Sequence, residues 1–174
     1  MLLKIFIRKG RSMALLKRFF GKKDLDIYAP LNGKAIPLES VSDPIFAGKV
    51  LGDGMAIEPD NDVLVSPVNG KVQMVSDTLH AIGICSDLGV ELLLHIGIDT
   101  VQLNGMHFKA DVKAGQKVTK GQKLIEFDSK VIVEKGYSLT TMIIVTNYDQ
   151  YKMDKKEGLV QSGDLVIDMT SKDE

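Results

Sequence analysis

The stretch from His80 to His95 constrains the fold most, because it predicts a β-hairpin with a histidine at each end. Two short apolar runs flank the turn-forming residues 86–89, a pattern typical of antiparallel strands joined by a tight turn. With the turn centred between residues 87 and 88, the predicted facing pairs are Cys85 with Val90, Ile82 with Leu93, and His80 with His95. Facing residues have Cβ atoms about 4.5–5.5 Å apart, and a shift of one residue would exchange the faces. Two of the three histidines should therefore lie side by side on one face of a sheet.

Paired imidazoles suit phosphoryl transfer, because one can attack phosphorus while the other donates a hydrogen bond to the phosphoryl oxygens. The alternative is a pair of structural histidines without chemistry. In the segment that follows, Gly97 allows the backbone to approach closely beside His95. Asp99 supplies an acceptor or a charge near the same rim. These neighbours favour a functional pair.

Residues 90–101, Val-Glu-Leu-Leu-Leu-His-Ile-Gly-Ile-Asp-Thr-Val, together with Thr78-Leu-His80, resemble the glucose-type enzyme IIA domain of the bacterial sugar phosphotransferase system. The resemblance covers roughly residues 30–170, including the segments 46–59, 66–72 and 121–128. The signature His-x-Gly-x-Asp-Thr-Val is highly specific. Two positions depart from the family pattern, since Leu93 stands where an aromatic residue is common and Ser76 replaces an apolar rim residue.

The resemblance implies a phosphocarrier, a phosphotransferase component without a cofactor or a metal. His95 would accept a phosphoryl group from the phosphorylated histidine of the carrier protein HPr and pass it to a cysteine on the IIB domain of a sugar permease. His80 would donate a hydrogen bond to the phosphoryl oxygens, oriented by Thr78. The carbonyl of Gly97 would hold the other nitrogen of His95, and Asp99 completes the implied site. The sugar is not identified, because the membrane-embedded IIC partner would contact it.

An apolar rim around the histidines is predicted to receive these partners and to exclude water from the joint site. The predicted rim residues are Phe46, Val50, Leu51, Ile82, Leu93 and Val101. Core packing is the alternative role, particularly for Ile82 and Val101.

From Lys34 onward, short β segments recur about every ten residues and are broken by Gly, Pro, Asn and Asp. This spacing indicates an all-β sandwich or barrel, and the resemblance implies a compact antiparallel β-sandwich of Greek-key or jelly-roll kind with short helical turns. Lys49–Leu51 is among the candidate strands, and weak helical patterns follow Asp128 and lie near Asp149–Lys156.

Two other functions are alternatives. Residues 112–130, with glycines at 115 and 121 and an Asp-Ser-Lys tip, are similar to a lipoyl or biotinyl carrier domain in which Lys130 would be acylated. A zinc hydrolase could use His80 and His95 with Asp99 or Glu91 as a third ligand. No Gly-x-x-x-x-Gly-Lys-Ser/Thr motif occurs, so the phosphoryl donor is expected to be a protein.

Charge is unevenly distributed along the 174 residues. Eight of the 22 basic residues and none of the 23 acidic residues lie in residues 1–23, so the remaining 151 residues carry 14 basic against 23 acidic side chains. An acidic body argues against nucleic acid as a partner and suits basic proteins. The single cysteine, Cys85, excludes an intramolecular disulfide and is predicted to be a small buried residue on the face opposite the histidines.

The predicted organisation is an N-terminal segment of residues 1–23 and a phosphocarrier domain of residues 24–174, with Met13 as an alternative start. The segment contains no apolar run of about 20 residues and no signal-peptide pattern, which predicts a cytoplasmic location. Its apolar residues 15, 16, 19 and 20 could share one face of a basic helix lying on anionic lipid at the inner membrane face. A disordered tail is the alternative.

Overall fold

The structure, a computed structural model, describes residues 24–172, in which fourteen short strands form three antiparallel sheets. The strands are β1 Ile27–Tyr28, β2 Gly33–Pro37, β3 Asp53–Pro59, β4 Val63–Val65, β5 Gly70–Val75, β6 Ala81–Ser86, β7 Glu91–His95, β8 Phe108–Ala110, β9 Lys117–Val118, β10 Lys123–Phe127, β11 Thr141–Val145, β12 Tyr151–Lys155, β13 Gly158–Val160 and β14 Leu165–Ser171. The α-helices are α1 Pro44–Ala47 and α2 Ser129–Glu134, and 3-10 turns cover Leu38–Ser40, Thr100–Leu103 and Tyr148–Gln150. The predicted antiparallel β-sandwich with short helical turns is confirmed.

The largest sheet has the strand order β13-β2-β3-β11-β7-β6-β5-β9, and the two smaller sheets have the orders β1-β14-β12 and β4-β10-β8. Among residues 24–172, no helix is long and apolar enough to cross a membrane.

Strand β11 is buried along its whole length and lies between β3 and β7. Ile143 and Val145 belong to the main core between the sheets, whereas Met142 and Ile144 belong to a second apolar cluster. That cluster also contains Leu38, Val41, Phe46 and Ala56. The chain from Leu38 to α1 therefore covers one part of the large sheet on the side away from the main core.

The hairpin of β6 and β7 is present, but its predicted register is wrong by one residue. Ala81, not His80, faces His95, and Cys85 faces Glu91. The loop contains three residues rather than two, because Ser86 pairs with Val90 through its amide and Gly89 turns the chain with φ 86°. A three-residue loop that ends in a left-handed residue is a common hairpin connection. The side chain of Ser86 also accepts hydrogen bonds from the amides of Leu88 and Val90.

The corrected register changes the environment of Cys85. The cysteine is half-buried rather than buried, and it shares the sheet face of His95 instead of lying opposite it.

Two other secondary-structure predictions are wrong. Lys49–Leu51 is a turn rather than a strand. Lys49 adopts φ 57°, and the amide of Val50 donates a hydrogen bond to the carbonyl of Ile45 in α1. The segment near Asp149–Lys156 is helical only at its start, in the 3-10 turn Tyr148–Gln150, and then forms the strand β12 rather than a helix. Its alternation of exposed and less exposed residues has a period of two, and it pairs with β14. A weak helix is found after Asp128, as predicted.

Candidate functional site

The structure brings the rings of His80 and His95 together, with their centroids 4.7 Å apart and the planes at 81°. The two residues do not face each other in the ladder, which ends at Ala81 and His95. His80 lies just before β6, and its carbonyl accepts from the amide of Ile96 at 2.8 Å. The preceding residue, Leu79, has φ 58° and is not extended, and the regular strand β6 begins only after His80.

One ring nitrogen of His95 is held by the backbone. Nδ1 lies 2.9 Å from the carbonyl oxygen of Gly97, and since a carbonyl only accepts, Nδ1 carries the proton. The lone pair of neutral His95 is then on Nε2. Gly97 has φ 75°, and a Cβ there would lie 2.5 Å from Cγ2 of Thr100 and 2.6 Å from the carbonyl oxygen of Ser138. Only glycine fits this close turn of the backbone.

The pKa of His95 falls from its ordinary value of 6.5 to about 4. Burial is the largest cause of this fall, and the neighbouring His80 is the second. The Gly97 carbonyl and the carboxylate of Asp43 act in the opposite direction. His95 is therefore neutral near pH 7, with an unprotonated nitrogen available to attack or to bind.

His80 is also oriented through Nδ1, which lies 2.7 Å from the hydroxyl oxygen of Thr78 and 3.4 Å from that of Ser76. The Ser76 hydroxyl oxygen in turn accepts from the amide of Ala81 at 3.1 Å. Burial lowers the pKa of His80 as well. Ser76, a departure from the family pattern, thus has a local structural reason, because an apolar side chain could not accept the Ala81 amide.

Helix α1 supplies one wall of the site. The Phe46 ring lies 4.9 Å from that of His95, with the planes inclined at 58°. Asp43 caps the helix by accepting from the amide of Ile45 at 2.8 Å. Sequence reasoning missed Asp43, although Asp followed by Pro at the first helical position is a recognisable helix start.

Three of the six predicted rim residues are exposed, and their role as a partner-binding rim stays a prediction. Val50, Leu51 and Val101 are exposed large apolar residues, and Ile45 on α1 is a further one that the sequence reasoning missed. Leu93 is half-buried on the sheet face of His95, and Phe46 is buried against the second apolar cluster. The placement of Ile82 in the rim is wrong, because the observed register turns its side chain into the main core, where it is fully buried.

Asp99 lies exposed directly before the 3-10 turn Thr100–Leu103, with φ 59°. Within residues 24–172, no hydrogen bond joins its carboxylate to either histidine of the pair. Its part in the site stays a prediction.

The alternative functions lack their geometry. Lys130 is the second residue of helix α2 and does not occupy a hairpin tip, which a carrier domain requires. In the described part of the chain, no group of three or more His, Cys, Asp or Glu residues could hold a metal ion, so the hydrolase alternative has no ligand set there. The third histidine, His107, lies elsewhere, next to Asp128.

Residues 25–151 match the family described as phosphoenolpyruvate-dependent sugar phosphotransferase system, EIIA 1. The glucose-specific EIIA component of Buchnera aphidicola subsp. Acyrthosiphon pisum is 41% identical over 156 residues, which cover 89% of this chain and 97% of that protein. The β-glucoside-specific EIIBCA component of Halalkalibacterium halodurans is 46% identical over 154 residues, 86% of this chain but 24% of that protein. The solved structure of glucose permease IIA from Mycoplasma capricolum superposes with a TM-score of 0.80 at 41% identity, covering 86% of this chain and 97% of that one.

The depressed pKa of His95 predicts a pH dependence of stability. Below its ordinary pKa of 6.5 the unfolded chain binds a proton at His95 that the folded protein, with a pKa of about 4, does not bind, so stability falls as the pH decreases through this range. His95→Gln removes that loss. Between about pH 7.5 and pH 5, wild-type protein should lose roughly 2 kcal/mol more free energy of unfolding than the variant. Urea denaturation of both proteins at the two pH values measures the difference, and equal losses would contradict a depressed pKa.

Proposed function

The chain belongs to the EIIA 1 family of the phosphoenolpyruvate-dependent sugar phosphotransferase system, and on that premise we propose that His95 is the residue that carries the phosphoryl group. The protein is a phosphocarrier of this system, and its family interacts with HPr and with IIB domains. The observation that supports His95 is its geometry. Nδ1 is committed to the Gly97 carbonyl, which leaves the lone pair on Nε2 of a neutral imidazole.

In the proposed step, Nε2 of His95 attacks the phosphorus atom on the phosphorylated histidine of HPr. The new N–P bond forms as the old one breaks, and the bonding pair returns to the imidazole of HPr. Enzymatic phosphoryl transfer depends mainly on positioning and charge stabilisation. The Gly97 carbonyl provides the positioning, because it fixes both the tautomer and the direction of the His95 ring.

His80 is proposed to stabilise the phosphoryl oxygens. This role requires the tautomer in which the Thr78 hydroxyl donates to Nδ1, because the proton of neutral His80 then lies on Nε2 and can be donated to an oxygen. The negative charge of the phosphoryl group favours the protonated form of an adjacent imidazole, which strengthens this bond. A ring already held by Thr78 needs little reorganisation when the charge arrives.

The exposed apolar side chains around the pair are proposed to form the docking surface for HPr and the IIB domain. Ile45, Val50 and Leu51 come from α1 and the turn after it, and Val101 comes from the segment after Gly97. Exposed apolar residues grouped around a reactive centre are typical of partner-binding surfaces. Docking there would exclude water and strengthen the electrostatic interactions at the transferring group.

The first experiment locates the phosphate. Protein incubated with phosphoenolpyruvate, enzyme I and HPr should acquire one acid-labile phosphate on His95, located by mass spectrometry, and His95→Gln should abolish labelling because glutamine has no nucleophilic ring nitrogen. A label that persists in this variant, or that lies on His80, would reject the assignment. The same intact-mass measurement tests the carrier alternative, since lipoate or biotin on Lys130 would revive it.

A second variant separates the roles of the two histidines. His80→Gln should still accept phosphate from HPr, because its amide can donate one hydrogen bond. Onward transfer to the IIB domain should slow by roughly 10²–10³, as when a transition-state donor is lost, because a neutral amide cannot become the cationic donor that protonated His80 would be. Single-turnover transfer from the isolated phosphoprotein measures this rate. An unchanged rate would show that His80 has no such part.

Residues 1–23, which lie outside the described residues, are proposed to attach the protein reversibly to anionic lipid at the inner face of the membrane. Their eight positive charges and the apolar residues at positions 15, 16, 19 and 20 support this proposal. Each Lys or Arg near such a surface contributes about 1 kcal/mol, and salt screens the attraction. Attachment would keep the acidic domain near its permease.

Co-sedimentation with vesicles containing phosphatidylserine tests the attachment. Full-length protein should sediment at low salt and less at high salt, whereas protein lacking residues 1–23 should stay in solution and still be phosphorylated from HPr. A control with serine in place of Leu15, Leu16, Phe19 and Phe20 keeps the charge and should bind more weakly. If full-length and truncated proteins sediment alike, the segment is a solvated tail.

A further inference from the structure

The chain from Leu38 to Gly52, the covering segment, supplies a large share of the proposed site although it pairs with none of the histidine strands. It carries Phe46 against the His95 ring and Asp43 close enough to raise the pKa of His95. It also carries Ile45, Val50 and Leu51, most of the exposed apolar side chains at the rim. The position of this one segment therefore decides both the burial of His95 and the shape of the docking surface.

Apolar side chains of the covering segment pack against the large sheet. Leu38, Val41 and Phe46 are buried in the second apolar cluster, against Ala56 of β3 and the outward residues of β11. Three of the six buried residues of this cluster belong to the covering segment, and their burial holds the segment against the sheet. Apolar contact is non-directional, however, and it does not by itself fix how far the segment lies along the sheet.

A set of ion pairs holds the segment at its end. The carboxylate of Asp53, the first residue of β3, accepts through Oδ1 from Nζ of Lys155 at 2.5 Å and lies 3.1 Å from Nζ of Lys49. The same Lys49 Nζ lies 2.6 Å from the Glu39 carboxylate. Glu39 and Lys49 belong to the covering segment, and Lys155 belongs to β12 of a different sheet. Asp53 thus joins the covering segment to both sheets.

Asp53 and Lys155 are shielded more than ordinary surface charges, whereas Lys49 and Glu39 are 34% and 54% exposed. The side chains of Asp53 and Lys155 are 16% and 22% exposed, whereas the ion pairs of Lys123 with Asp111 and Glu126 involve side chains exposed by 31% or more. Burial alone would raise the pKa of Asp53, but hydrogen bonds from Lys155, the Gly54 amide and Lys49 outweigh it and lower the pKa. The carboxylate is charged at neutral pH, and partly buried charges of this kind are poorly screened.

The backbone of Asp53 is itself fixed. A Cβ on Gly52 would lie 2.4 Å from the carbonyl oxygen of Val145, and one on Gly54 would lie 1.9 Å from that of Ile143. These two glycines let β3 approach β11 closely, with Asp53 facing Val145 in the ladder. The Asp53 carboxylate therefore projects from a closely packed part of β3 towards the ammonium groups of Lys49 and Lys155.

We propose that Asp53 is a positioning residue for the histidine site: through Lys49 and Lys155 it fixes the covering segment so that Phe46 and Asp43 stand against His95. The inference rests on the proposed function only in giving His95 a role in phosphoryl transfer. When the ion pairs are lost, the Phe46 wall withdraws, water reaches His95, and the docking surface loses its shape.

The variants Asp53→Asn and Lys155→Met test this role, and Lys123→Met is the matched control because it breaks ion pairs with Asp111 and Glu126 away from the site. Two NMR measurements report on position directly, namely the cross-relaxation between the Phe46 and His95 rings and the titration midpoint of His95. Both test variants should weaken the cross-relaxation and raise the midpoint by about one pH unit, since a less buried imidazole titrates closer to its ordinary value. HPr-dependent phosphorylation should slow by roughly tenfold, a modest misplacement effect.

The direction of the midpoint shift separates positioning from direct electrostatics. The groups that act on His95 are His80, the Asp43 carboxylate and the Gly97 carbonyl. If Asp53 and Lys155 acted only through their charges, losing the anion would lower the His95 midpoint and losing the cation would raise it. Positioning raises it in both variants. Lys155→Arg retains a cation for Asp53 and should restore the wild-type midpoint and rate.

Several outcomes overturn the proposal. Opposite shifts in the two test variants would show a direct charge effect, and a loss of stability with unchanged ring contact and midpoint would show that the apolar cluster alone places the segment. A change equal to that in Lys123→Met would also reject it. If Asp53→Asn does not fold, Lys49→Met decides, because it breaks the direct contact between the covering segment and Asp53 and leaves the carboxylate paired with Lys155. The NMR measurements involve no phosphoryl transfer, so they stand even if His95 proves not to be the phosphorylated residue.

Discussion

The burial of both faces of β11 is the constraint on which the site depends. A strand in a sandwich ordinarily buries one face and leaves the other in water, but Thr141–Val145 is buried throughout. The outward face, with Met142 and Ile144, therefore needs its own cover, and the chain before and within α1 provides it. Because Met142 pairs with His95 in the ladder, the same cover reaches the histidine. The partial burial of His95 follows from the need to cover an apolar strand.

This cover has a chemical consequence that is separate from stability. Removing His95 from water disfavours the imidazolium ion, which is why its pKa falls to about 4. Burying the His95 ring costs free energy, which the packing of the rest of the fold offsets. As a result, the nucleophilic nitrogen of His95 is unprotonated at neutral pH. Asp43 and the Gly97 carbonyl moderate the effect, since both favour the charged form. The availability of the lone pair on His95 therefore depends on the balance between burial on one side and the Gly97 carbonyl and the negative charge of Asp43 on the other.

The sequence predicted the all-β architecture and the hairpin, because turn residues and apolar runs are local patterns. It also predicted that His80 meets His95, but from a register that is wrong, since the two rings meet beside the end of the ladder. It failed where one residue of loop length decides the outcome: the three-residue turn at Gly89 shifts the register, moves Ile82 into the core and brings Cys85 to the face of His95. It also could not reveal contacts made between distant segments. Asp53 and Lys155 are 102 residues apart, and Asp43 reaches the site only because α1 folds over β11.

Left-handed backbone at three non-glycine residues shows how the site departs from the regular sheet. Lys49, Leu79 and Asp99 have φ near 57–59°, one after α1, one before His80 and one after the turn at Gly97. For residues other than glycine, such a conformation costs about 1–2 kcal/mol and persists only where the surroundings enforce it. Leu79 lies just before His80, which precedes the first paired residue of β6, Ala81, so the His80 ring meets that of His95 beside the end of the ladder. The two imidazoles therefore pair at the point where the regular strand begins, and they are not facing residues of the hairpin.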